Sequence, residues 1–175
     1  MGNDLGEPSP ARDLANIEWT ARHLSEYRPL FASWPKTLRV DIDGLGKVLF
    51  CHGTPRSETE IFTRLTTAER LAPLFESLDV ALVVCGHTHM QFDRMVGGTR
   101  VVNAGSVGMP FGKSGAYWVL LGPNVELRQA RYDLSAAAER MKTREYPGAG
   151  QYARDLLQPP DENEMLETLG KAEVR

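Results

Sequence analysis

The run Val80-Ala81-Leu82-Val83-Val84-Cys85 is apolar without interruption and ends on Gly86-His87-Thr88-His89. Side chains alternate across a strand, so such a run predicts a strand covered on both faces, as in the parallel sheets of α/β proteins. Its neighbours fit that frame. Residues from about Thr67 to Leu78 read as a helix: Thr67 stands ready to cap it, Ala68, Leu71, Leu74, Phe75 and Leu78 recur at helical spacing, and Pro73 can kink it. Lys47 to Cys51 reads as an earlier strand, apolar after Lys47. The order is β-α-β, and open α/β sheets bind ligands beyond the carboxyl ends of their strands.

Histidines stand at those ends, His52 after the first strand and His87 and His89 after the second. If the backbone stays extended past Gly86, residues two apart face the same side, and both imidazoles address one metal site. The segment Val101-Val102-Asn103-Ala104-Gly105-Ser106-Val107-Gly108 ends a further strand. Its glycines and backbone N–H groups suit close approach to a phosphate, or an ordinary glycine-rich turn. His23, on a predicted helix, reads as a surface histidine.

Elsewhere, Ser9-Pro10 opens a helix running to about Glu26, with Leu14, Ile17, Ala21 and Leu24 on one face. Trp34-Pro35 breaks the pattern. Leu38, Val40 and Ile42 then alternate with polar residues as a half-buried strand, and Asp41 and Asp43 flank the hairpin turn that follows. Segments 91–96, 99–103, 116–121 and 125–132 read as strands of an antiparallel meander. The tail from Leu134 is helical in two or three pieces, broken at Pro147-Gly148 and Pro159-Pro160.

At 175 residues the chain is expected to form a single domain, 1–175. A net charge of −3 leaves no electrostatic footprint for a nucleic-acid polymer. No apolar run approaches a membrane span, and the first residues carry no signal-peptide core. Cys51 and Cys85 each close an apolar run, which predicts buried thiols in a reducing, cytoplasmic setting, with metal ligation as the alternative.

In their order, His52-Gly53, Gly86-His87-Thr88-His89 and Asn103-Ala104-Gly105-Ser106-Val107-Gly108 resemble the calcineurin-like metallophosphoesterases, especially the small bacterial and archaeal phosphodiesterase group. The resemblance runs from about residue 2 to about residue 132. It implies an α/β fold, a metallophosphoesterase-like β-sandwich flanked by helices, with the N-terminal strands missing. It also implies divalent metal ions (Mn, Fe, Ni or Zn), two in the family and one or none here. Asn3, His52 and His87 would bind the second metal and His89 the first. Asn103, Gly105 and Ser106 would line the pocket for a small phosphorylated substrate, a phosphomonoester or phosphodiester hydrolysed through a metal-activated hydroxide.

The family's opening Asp-x-His and Gly-Asp motifs do not occur before His52, and Asp4 stands where many members carry a catalytic histidine. No catalytic proton donor is therefore assigned, and the chain looks like the family's second half begun at an internal methionine. Strands 47–51 and 80–85 would then have open edges, which a homo-oligomer or another polypeptide covers. The alternative is a non-catalytic or truncated domain with a partial metal site, acting as a binding module.

Overall fold

The computed structural model describes residues 10–174, with side chains from Asp13 onward. Seven strands form two sheets among these residues. The larger has the order β1-β2-β3-β5-β4, built from β1 (Leu38–Ile42), β2 (Gly46–Phe50), β3 (Leu82–Cys85), β4 (Phe92–Val96) and β5 (Thr99–Asn103). Strands β2, β3 and β5 run parallel at its centre, and β1 and β4 close its edges antiparallel. The second sheet is the ribbon β6 (Ala116–Leu121) and β7 (Val125–Ala130).

Alternation along the central strands sorts the core into two layers. Val48, Leu82, Val84 and Val102 face the ribbon, where Val119, Leu121 and Val125 pack on them. Leu49, Val83, Cys85 and Val101 point the other way, onto Leu71, Leu74 and Phe75 of helix α3 (Ala68–Phe75) and onto Phe62 and Val174. Each of the large α3 side chains contributes about 1.5–3 kcal/mol by leaving water. The expected α/β sandwich flanked by helices is therefore present, with a helical layer on one side and a two-stranded sheet on the other.

The tail forms α4 (Leu134–Lys142), α5 (Ala149–Leu157) and α6 (Glu162–Gly170), divided at the two anticipated proline positions. Asp133 caps α4 by accepting the Ala136 N–H, and Asp161 caps α6 by accepting those of Asn163 and Glu164. The chain then returns to the core. Glu173 bridges Ile61, the Val174 N–H bonds the Ile61 carbonyl at 2.9 Å, and the Glu173 carboxylate accepts the Thr63 and Thr66 hydroxyls.

Several expectations are corrected. The first helix, α1 (Pro10–His23), stops short of Glu26, and α2 (Arg28–Ser33) follows a 3-10 turn in a stretch that the sequence pattern leaves unassigned. Leu14 and Ile17 on α1, and Leu24 just after it, are exposed. Strand β1 is an exposed edge, with Leu38 and Val40 open to solvent, because only β2 lies beside it. Thr67 sits at the start of α3 but makes no capping bond. The meander is broken, since β5 pairs in parallel with β3 and β6 departs to the other sheet. Strands β2 and β3 have neighbours on both sides, so the open edges expected at 47–51 and 80–85 are absent. Among the described residues, no helix is long and apolar enough to cross a membrane.

Candidate metal centre

Parallel pairing of β2 and β3 continues past their formal ends. The Cys51 N–H bonds the Val84 carbonyl at 3.1 Å and the Gly86 N–H bonds the His52 carbonyl at 2.9 Å. This register lays His52 beside the turn that carries His87. Their rings meet edge to face, with His87 Nδ1 3.1 Å from His52 Nε2 and centroids 4.9 Å apart.

The loop does not reach this geometry by staying extended. His87 has φ +66° and His89 has φ +59°, both in the left-handed region, so the two-apart rule for strands fails here. Such conformations cost on the order of 1–3 kcal/mol each for a residue with a β-carbon, and persist only where surroundings impose them. Asn103 imposes this one. Fully buried at the end of β5, it donates from Nδ2 to the Gly86 carbonyl at 2.5 Å and to Thr88 Oγ1 at 3.0 Å, while its Oδ1 accepts the Gly105 N–H at 2.9 Å. Expected in the substrate pocket, Asn103 instead holds the histidine loop from beneath.

The His89 ring lies 5.4 Å from that of Phe111, and its Nδ1 is buried with no hydrogen-bond partner among the described residues. Burial lowers the pKa of both His87 and His89. The neighbouring His52 lowers His87 further, against a raising backbone contact from Thr59; for His89 the Met109 backbone opposes and the other two histidines add. Both rings therefore favour the neutral form, which is the form that binds metal.

The described residues fit part of a metal centre. Two ring nitrogens on one ion at ~2.0–2.1 Å lie about 3.3 Å apart in tetrahedral geometry, close to the 3.1 Å separation of the pair. Among the described residues no group of three or more His, Cys, Asp or Glu side chains converges. Asn3 and Asp4 lie outside the described residues. Cys51 and Cys85 pack in the helical-side core layer and, among the described residues, belong to no converging group of metal-ligating side chains; burial pushes the Cys51 thiol up to about 12 and Cys85 well above its usual value. Asp41 and Asp43 are exposed around the β1–β2 turn. His23 is a surface residue stacked on Trp19 at 3.8 Å.

Gly105, with φ +79°, lies where a β-carbon would come within 2.8 Å of both Gln91 and Tyr117. Ser106 turns its hydroxyl back to accept the Met109 N–H at 3.0 Å. The loop these residues begin leads to Phe111 and Lys113, which with Tyr117 and Glu162 of α6 line a cavity of about 230 Å³ beside His89. Sequence reading missed these four. Phe111, an aromatic inside a glycine-rich loop, was the available signal; Glu162 arrives from the far end of the chain and offered none.

The calcineurin-like phosphoesterase superfamily domain matches residues 14–123, more than half of the chain. The chain belongs to this superfamily. Among solved structures, a hypothetical protein from Pyrococcus horikoshii superposes with a TM-score of 0.67 at 19% identity, over 89% of this chain and 67% of that one. A metallophosphoesterase from Sphaerobacter thermophilus gives 0.61 at 22% identity, over 84% of this chain and 74% of that one. At these identities the likeness is one of calcineurin-like fold. No curated protein matches the chain.

Proposed function

We propose that this superfamily member hydrolyses small phosphomonoesters or phosphodiesters with divalent metal ions, and that His52 and His87 hold one of them. The observation that carries the proposal is the convergence of their ring nitrogens at the paired strand ends. Bound divalent ions supply phosphoryl polarisation and a nucleophile near neutral pH. The chain's own part is to present neutral imidazoles at a fixed separation, through a strained loop that Asn103 clamps. Asn3 is the further ligand we assign to that ion, and His89, whose buried Nδ1 has no hydrogen-bond partner among the described residues, is assigned to the other ion. Imidazole donors suit Zn, Fe and Ni, and an added carboxylate or carbonyl oxygen brings in Mn. Two free, protonated thiols at the site's back support a reducing compartment, the cytoplasm in this proposal.

Metal analysis together with hydrolysis of an aryl phosphodiester in added manganese tests the proposal. Bound metal and turnover, both lost in His87→Ala, are expected. Metal binding without turnover by the unaltered chain favours the binding-module reading instead, and neither metal nor turnover refutes both.

A further inference from the structure

The cavity beside His89 has walls of mixed chemistry. Phe111 presents an apolar ring, already tilted 32° against His89. Glu162 faces it from α6, its carboxylate ion-paired to Arg64. Loop and helix are fastened together, because the Gly112 N–H bonds the Pro160 carbonyl at 2.8 Å and a β-carbon on Gly112 would sit 3.2 Å from Glu162 Cβ. The polar groups deeper in the wall are already engaged. Gln91 donates to the carbonyls of Ala104, Trp118 and Arg128, and the Tyr117 hydroxyl lies between the Lys113 carbonyl and Gln129. Among the described residues no carboxylate pairs with the Lys113 ammonium, while the Glu162 carboxylate is about two-fifths exposed and keeps acceptor capacity beyond Arg64. The Glu162 charge also raises the Tyr117 phenol, after burial as the larger cause.

At about 230 Å³ the space is below the range typical of drug-sized ligands, and suits one ring system. An aromatic face, a carboxylate acceptor and a lysine donor around a slot of that size match a flat heterocycle that carries N–H donors and ring acceptors. We infer that this cavity binds the organic group of the phosphoester, and that Phe111 and Glu162 select a nucleobase-like heterocycle there. The inference rests on the proposed phosphoesterase reading for its orientation, with the phosphate toward the histidines, but its recognition chemistry does not depend on turnover.

Calorimetric titration of the metal-free chain in EDTA, with adenosine 5′-monophosphate and with ribose 5-phosphate, tests it. Stacking of a base on an aromatic residue is worth about tenfold or more in affinity. The nucleotide should therefore bind about tenfold tighter than the sugar phosphate. Phe111→Ala should erase that ratio, and Glu162→Gln should reduce it while the protein keeps its circular dichroism spectrum. Equal affinities, no detectable binding of either compound, or an unchanged ratio in Phe111→Ala overturns the inference. Selective binding by a chain that hydrolyses nothing leaves the inference standing and removes the proposed activity. Turnover of phosphoesters without preference for the heterocycle does the reverse.

Discussion

Replacing Asn103 by alanine separates the clamp from the histidines it positions. The side chain is fully buried and makes three hydrogen bonds, to the Gly86 carbonyl, Thr88 Oγ1 and the Gly105 N–H. Each bond contributes about 1 kcal/mol net, and a buried group left unpaired costs about 1–3 kcal/mol. Thr88 can turn its hydroxyl elsewhere, but the Gly86 carbonyl and the Gly105 N–H lose these partners, so the sum is about 3–4 kcal/mol. Against a typical total of about 5–15 kcal/mol the variant still folds. With a urea slope of about 2 kcal/mol/M, the midpoint should fall by about 1.5–2 M at unchanged slope. Asn103→Asp keeps the volume and the acceptor for Gly105 but loses both donated bonds and buries a carboxylate against the Gly86 carbonyl, so it too should be destabilised. A loss below about 1 kcal/mol for Asn103→Ala would falsify the view that this residue holds the strained loop.

Gly105→Ala should cost about 2–3 kcal/mol in the same assay, since φ is +79° and the new β-carbon meets Gln91, itself pinned by three carbonyls, and Tyr117; a neutral result means the loop shifts freely. Val174→Ala should cost about 2 kcal/mol by emptying a site in the helical-side core layer, and an unchanged melting temperature would show that the returning tail is not docked there. The metal-free chain should lose stability as pH falls below about 6.5. His87 and His89 have lowered pKa values when folded, so the unfolded chain binds more protons in that window and acid favours unfolding. Thermal melts from pH 7.5 to 5.5 check this, and a melting temperature that rises toward acid contradicts it. His87→Ala should weaken zinc binding at least tenfold in a competition titration while leaving the circular dichroism spectrum intact.

The sheet's centre was legible because unbroken apolar runs can be buried only between two layers, and Val48-Leu49, Leu82-Val83-Val84 and Val101-Val102 send alternate side chains into each. The placing of β4 and β5 was also written in their residues. Asp93 and Arg94 put charge on β4, as edge strands do, whereas β5 buries consecutive valines and so docks inside against β3. Reading the pair only as a hairpin within a meander ignored that difference. The α1 pattern misled in the opposite sense: helical spacing of Leu14, Ile17 and Leu24 specifies a face, not what covers it.

The histidine loop shows where local rules stop. That His52 and His87 stand at strand ends was legible in the sequence; that their rings meet follows from two parallel strands ending in register, which the structure supplies. The direction of each ring depends instead on two left-handed residues, a conformation that neither histidine prefers, imposed by Asn103 seventeen positions beyond Gly86. An extended Gly86–His89 segment would have carried both rings to one side. In the left-handed turns His87 meets His52 and His89 meets Phe111, so that one motif contributes both to the histidine pair and to the wall of the adjoining cavity. Strain held at the point where two binding surfaces meet is the pattern expected of a functional site, because relaxing the loop would separate each ring from its partner at once.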